Sequence, residues 1–271
     1  MIQDNTQLQT LHSCLLEILC EFDLFCREHD ISYTLAYGSV LGAVRHGGFI
    51  PWDDDLDVCM TADNYNKFIR LYKNNDDYTL QRDTIDYPLQ FSKLRKNNTT
   101  FIESIPYRKK YKKIHQGVYL DIFCLDKVAE NYFARKIQIV CSNILIAQSL
   151  QMRGYSTNSP SKKIMMMLSI LLRPIRKWML EYVRSFNEDE SLNLYCDFFG
   201  ETTKYFFPTT YFHSSLSCRE FENHSYPVPN YPEEYLKKIY GDWQQLPSQE
   251  EQDASVHAKF FSTTESYHNF L

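Results

Sequence analysis

Leu8, Leu11, Leu15, Ile18, Phe22 and Phe25 recur at alternating steps of three and four, the stripe of an amphipathic helix ending near His29 and Asp30. Ile31, Tyr33, Leu35 and Tyr37 then alternate with smaller or polar residues, which predicts a strand that Gly38-Ser39 breaks. Val40–Val44 reads as a short helical turn and Leu56–Met60 as a second strand. Asp63–Tyr72 reads as a helix with Tyr65, Phe68, Ile69 and Tyr72 on one face. Gln90–Leu94 and Val118–Leu125 are further strand candidates, separated by a polar, basic stretch (residues 97–116) that reads as a loop or ragged hairpin.

The pattern changes after Asn131. Phe133–Gln151 reads as a helix, Tyr155–Lys163 as a linker, and Ile164–Phe186 as a helix that Pro174 interrupts. The tail from Phe198 reads as irregular until one more helix at Glu233–Tyr240. The expected organisation is a catalytic core over residues 1–130 with a helical and irregular region, 131–271, packed on it, or a single domain throughout.

Charge and cysteine usage narrow the function. A net charge of -5 argues against a general nucleic-acid binder, which carries a basic surface. The eight cysteines form no CxxC pair, and His213, Cys218 and His224 match no common zinc spacing. Cys14, Cys59 and Cys124 fall inside apolar stretches, as buried thiols do, and Met1–Thr10 is polar, unlike a signal peptide. A reducing, cytoplasmic setting is expected.

The chemistry concentrates in one stretch. Four of the eight glycines (Gly38, Gly42, Gly47 and Gly48) fall within eleven residues, and Asp53, Asp54, Asp55 and Asp57 follow at once. Carboxylates at that density repel one another, and a divalent cation offsets the repulsion. Asp55 and Asp57 flank Leu56, so in a strand they point to one face and Leu56 and Val58 to the other. Such a pair can hold Mg²⁺ or Mn²⁺ together with phosphate oxygens. Gly38-Ser39, where a strand gives way to a helix, can cradle a phosphate through backbone N–H groups and the Ser39 hydroxyl. A calcium loop fails: its sixth and twelfth positions would be Val58 and Asn64, not Gly and Glu.

The run from Tyr37 through Gly38-Ser39-Val40-Leu41-Gly42 to Gly47-Gly48-Phe49-Ile50-Pro51-Trp52-Asp53-Asp54-Asp55-Leu56-Asp57-Val58 resembles the signature of the LicD family, cholinephosphotransferases of lipopolysaccharide or teichoic acid, to which the fukutin-type transferases are related. Weaker likeness continues at Phe91–Arg95, Gly117–Phe123, Tyr226–Pro229 and Ile239–Trp243. The resemblance implies an α/β (α+β) nucleotidyltransferase-like fold, a mixed sheet flanked by helices, with a mainly helical C-terminal part. It implies a phosphotransferase that moves a phospho-alcohol, such as phosphocholine, from a CDP-activated donor to a sugar hydroxyl of a glycan. Gly38 and Ser39 then serve the donor phosphates, and Asp55 and Asp57 the metal. A third carboxylate is expected on a neighbouring strand: Asp121, between apolar Leu120 and Ile122, is preferred to Asp126. Asp121 or Asp53 would take the proton of the attacking hydroxyl, and Arg45, Lys93 and Arg95 are candidate phosphate clamps. Two alternatives stay open: transfer of the nucleotide itself, and a non-catalytic relative that binds nucleotide or glycan.

Lys162-Lys163, the apolar run Ile164–Leu172, and Arg173, Arg176, Lys177 and Trp178 form a basic, apolar segment about half the length that spans a bilayer. It reads either as an interfacial helix at the inner face of a membrane or as a core helix with a basic end. A glycan acceptor made on a lipid carrier would suit the first.

Overall fold

The computed structural model describes residues 5–84, 88–104, 114–155, 157–200, 204–213 and 215–270. Its first element is helix α1 (Asn5–Glu28), which buries the expected apolar stripe from Leu8 to Phe22 together with Cys14, Leu19 and Cys26. The short strand β1 (Thr34–Leu35) leads into helix α2 (Tyr37–Arg45). Gly38-Ser39 therefore sits inside the first turn of α2 and does not precede it: Ala36 is the N-cap, and Ser39 N–H already bonds the Ala36 carbonyl at 2.9 Å.

Strand β2 (Asp57–Thr61), helix α3 (Ala62–Leu71), and strands β3 (Tyr78–Gln81), β4 (Ser92–Lys96), β5 (Thr100–Glu103) and β6 (Tyr119–Lys127) complete the first half. The seven-stranded sheet runs β1-β2-β6-β4-β3, with β2 parallel to β6 and the other pairs antiparallel. Strand β6 shows the period of two plainly. Leu120, Ile122 and Cys124 are buried on the face covered by α1 and α3, whereas Tyr119, Asp121 and Phe123 line a cleft on the other face.

Helices α4 (Tyr132–Arg153), α5 (Pro160–Leu171) and α6 (Arg176–Arg184) follow, with Pro174 in a 3₁₀ turn between the last two. Asn131 caps α4 through its side chain, and Gly154 ends it with a φ of 104°, a conformation that glycine adopts without strain. Val128, Cys141, Leu145, Met179, Val183, Cys196 and Phe198 form a second, smaller core beneath these helices.

The tail is more regular than its composition suggests. Strands β7 (Leu194–Asp197) and β8 (Phe207–Pro208) extend the main sheet from the far end of β6. Strands β9 (Ser217–Phe221) and β10 (His224–Val228) form a hairpin, helix α7 (Pro232–Tyr240) packs on α2, and helix α8 (Gln249–Ala254) precedes strand β11 (Ala258–Ser262). Strand β11 pairs with β5, which lies within the stretch expected as a loop or ragged hairpin; residues 105–113 of that stretch lie outside the described residues. The main core joins Leu8–Leu125 to Phe207–Ala258 without a break, so the chain after residue 131 returns to the first half.

Candidate active site

The cleft, about 1170 Å³ in volume, opens where β2, β6 and β4 meet the N-terminal end of α2. Asp57 and Asp121 are register partners on β2 and β6, and Asp121 and Lys93 are register partners on β6 and β4. Side chains opposite one another on neighbouring strands share a face, so these three form one row across the sheet. Asp55 continues it: Leu56 is fully buried beneath, and Asp53, Asp55, Asp57 and Asp121 all line the cleft.

Lys93 is buried, with Nζ 2.9 Å from Asp121 Oδ1 and 3.4 Å from Glu103 Oε1. The same ammonium lies 3.5 Å from the centre of the Tyr119 ring, a cation–π contact in a desolvated place. Lys93 thus serves the carboxylate row as its internal counter-charge. Arg95, two residues on, is buried and turned away from the cleft, donating to the Gly117 carbonyl at 2.7 Å and to Gln81 Oε1 at 2.6 Å. Arg45 lines the cleft and donates to the Trp243 carbonyl at 2.9 Å.

Gly38 lines the cleft, where a Cβ would stand 2.9 Å from Asp53 Oδ2, so any larger residue there would push that carboxylate aside. Ser39 is buried behind it, and its hydroxyl accepts the Asp57 N–H at 2.8 Å, tying the first turn of α2 to the start of β2. Tyr37 has a φ of 44°, an uncommon conformation for a bulky residue. It is held at both ends: its N–H donates to the Tyr235 hydroxyl at 3.2 Å, and its own hydroxyl donates to Asp197 Oδ2 at 2.7 Å.

Asp54 points the opposite way from its neighbours and is fully buried. It accepts from the N–H groups of His257 at 3.0 Å and Ala258 at 2.6 Å, and from His257 Nδ1 at 3.1 Å. Asp54 is therefore the clamp that fastens the start of β11 to the aspartate loop. The loop is fixed from two more sides. His12 of α1 donates to the Asp53 carbonyl at 2.7 Å, and Glu222, in the turn of the β9–β10 hairpin, accepts the Phe49 N–H at 3.0 Å.

His257 brings a second cation. Its Nδ1 lies 3.2 Å from Asp55 Oδ2, and the bonds to Asp54, followed by the charges of Asp55 and Asp53, push the imidazole up to about 9. Even so, negative charge is in excess. Burial first, then mutual repulsion, holds the carboxyls of Asp53 and Asp57 well above the usual range and raises that of Asp55. Burial also raises Asp121, against the pull of Lys93.

Four hard oxygen donors facing one cleft with an unbalanced negative charge suit Mg²⁺ or Mn²⁺. Asp53, Asp54 and His257 present ligand atoms within 4.8 Å of one another, but both Asp54 oxygens already accept N–H bonds and His257 is drawn into ion pairs. Asp55, Asp57 and Asp121 are the better oxygen set. Asp126, the other strand carboxylate, lies on the opposite face of β6, bonded to Asn187 Nδ2 at 2.7 Å and near Arg184.

Patterning in the sequence does not single out Asp54, Glu103, Arg153 or His257 for these places. Arg153, at the C-terminal end of α4, contributes to the cleft wall, as do Trp52, Tyr205, Tyr240 and Trp243.

Residues 30–139 match the family model described as LicD/FKTN/FKRP, nucleotidyltransferase domain. Over 250 residues the chain is 27% identical to the lipopolysaccharide cholinephosphotransferase LicD of Haemophilus influenzae, covering 88% of this chain and 91% of that protein. An uncharacterised protein of Rickettsia prowazekii is 29% identical over 106 residues, 39% of this chain and 36% of its own. Both the domain match and the full-length relative mark the chain as similar to the LicD family.

Proposed function

We propose that this protein is a metal-dependent phosphotransferase that moves phosphocholine, or a similar phospho-alcohol, from a CDP-activated donor to a sugar hydroxyl of a cell-surface glycan. The observation that carries the reading is the row Asp55, Asp57, Asp121 on one wall of a cleft whose other walls hold Trp52, Tyr205, Tyr240 and Trp243. The lipopolysaccharide cholinephosphotransferase to which the chain is similar supports choline and a lipopolysaccharide-type acceptor. Aromatic faces attract a quaternary ammonium, and this cleft has several to offer.

Asp55, Asp57 and Asp121 would hold Mg²⁺ or Mn²⁺, which supplies charge neutralisation at the donor's pyrophosphate. The chain's own residues do the rest. Gly38 lets the backbone at the start of α2 approach the donor, where its N–H dipoles favour phosphate. Arg45, at the other end of α2, adds positive charge at the cleft wall. Asp53 is the better general base for the sugar hydroxyl. Burial and Asp55 hold its carboxyl well above the usual range, so it takes a proton readily, whereas Asp121 is tied to Lys93.

Products of the reaction with CDP-choline, Mg²⁺ and a lipopolysaccharide acceptor test the proposal. CMP release with phosphocholine on the acceptor is expected. Release of phosphocholine with CMP on the acceptor would mean nucleotidyl transfer instead. Tight Mg²⁺-dependent nucleotide binding without turnover of any CDP-alcohol would mean a binding protein.

A further inference from the structure

Helix α5 and the start of α6 wear their apolar stripe on the outside. Ile164, Leu168, Leu171, Ile175 and Trp178 recur at steps of four and three, the spacing that normally faces a core. In the structure they are 59%, 55%, 74%, 43% and 54% exposed, and Met167 is 69% exposed. Ser169 is the one residue of α5 fully turned inward, with its carbonyl accepting from Gln148 Nε2 of α4 at 2.8 Å. A contiguous run of large apolar side chains in water marks a contact surface.

The charge around this stripe selects its occupant. Residues 160–178 carry Lys162, Lys163, Arg173, Arg176 and Lys177 and no Asp or Glu, in a chain whose net charge is -5. Arg176 is committed to Asp83 at 2.8 Å; Lys162 and Lys163 stand exposed at one end of the stripe, and at the other Arg173, which donates to Gln151 Oε1 at 2.5 Å, and Lys177, which lies 3.6 Å from Glu181, are exposed too. A second copy of the chain, packed by two-fold symmetry, would stack this basic segment on itself. An anionic surface would not. No helix among the described residues is long and apolar enough to cross a membrane.

We infer that α5 and the start of α6 lie flat on the surface of an anionic lipid bilayer, with Ile164, Met167, Leu168, Leu171 and Trp178 in the acyl boundary and the flanking basic residues at the headgroups. The inference does not rest on the reaction proposed above. Its consequence for the site is positional, because only six residues separate α5 from Arg153, which lines the cleft. Docking would present the cleft to a membrane-borne acceptor.

Co-sedimentation of the full chain with vesicles tests this. Binding to phosphatidylcholine vesicles containing phosphatidylglycerol is expected, with little binding to phosphatidylcholine alone and progressive loss as salt rises. The combined variant Lys162→Gln, Lys163→Gln, Arg173→Gln, Lys177→Gln should weaken binding on the order of 1000-fold. Met167→Ser with Leu171→Ser should weaken it independently, and neither variant should lower the melting temperature, since the side chains are exposed. Absence of binding to anionic vesicles, or binding that both variants leave unchanged, overturns the inference. So does a dimer in solution that Met167→Ser with Leu171→Ser dissociates, because the stripe would then be covered by a second copy.

Discussion

Asp57 and Asp121 are register partners on the parallel strands β2 and β6, 64 positions apart in the chain and adjacent across one ladder. The Asp121 N–H bonds the Leu56 carbonyl at 3.0 Å, so the ladder that aligns the two carboxylates also fixes Asp55 one residue earlier. Lys93 joins from the opposite side of β6. A slip of one residue in either pairing would turn a carboxylate into the core, which makes the sheet register itself a determinant of the site.

Two glycines of the signature should fail in different ways. A Cβ at Gly42 would lie 2.4 Å from the Gly48 carbonyl oxygen, and only backbone movement relieves that. Gly42→Ala should therefore cost roughly 1–3 kcal/mol of stability. At Gly38 the obstacle is the Asp53 carboxylate at 2.9 Å, a side chain that can swing aside. Gly38→Ala should keep the melting temperature, because alanine favours the helix by about 1 kcal/mol, and should lose at least about tenfold in rate as Asp53 moves. Melting curves and initial rates for both variants check the contrast.

Asp54 is expected to matter for folding more than for chemistry. Asp54→Ala strands the N–H groups of His257 and Ala258 and removes one of the two carboxylates beside the His257 ring. The loss should be roughly 3 kcal/mol, a fall of about 6–12 °C in melting temperature for a chain of this size. A melting temperature within about 2 °C of the parent would show that Asp54 is not the clamp described.

The helix α1 and strand β6 are legible in the sequence because their burial follows a local period: three and four for Leu8–Phe22, two for Tyr119–Phe123. The aspartate cluster is legible for a different reason, the density of repelling charge. What escapes is whatever depends on distant chain. Strand β11 has the burial of an edge and acquires its identity from β5, more than 150 residues earlier. His257 has no local signal; its role comes from Asp54, 203 positions away. Lys93 and Arg95 share one face of β4, and alternation cannot tell which reaches Asp121 and which turns to Gly117. Gly38-Ser39 reads as a break because glycine disfavours helices, yet packing against Asp53 and β2 places it inside one.

His115 should impose an acid limit on stability. Its Nδ1 accepts the Gly117 N–H at 3.1 Å and its Nε2 bonds Asn97 Oδ1 at 2.9 Å, so the folded state holds the neutral ring. Burial, and then Arg95, push the imidazole down to about 4 from its ordinary 6.5. A depressed histidine contributes stability that is complete above 6.5 and is lost as pH falls from there toward 4. Melting temperature measured over that window should fall more steeply for the parent than for His115→Gln.

The carboxylate row predicts the opposite slope in the absence of metal. Raised aspartate pKa values mean that the folded state binds protons more tightly than the unfolded chain, so stability is greatest near the ordinary value of 3.8 and declines as pH rises above it. In chelator the melting temperature should fall as pH rises above 3.8. Millimolar Mg²⁺ or Mn²⁺ should restore it, most strongly at the alkaline end where the carboxylates are ionised.

The carboxylate row predicts that Asp57 works in phosphoryl chemistry and is not needed for folding. The rate of CMP release from CDP-choline by Asp57→Asn, at saturating Mg²⁺ and normalised to folded protein, tests it most directly. A loss of at least about 10³-fold is expected, with a melting temperature equal to or above that of the parent, since one repelling charge is gone. A rate within tenfold of the parent would contradict it.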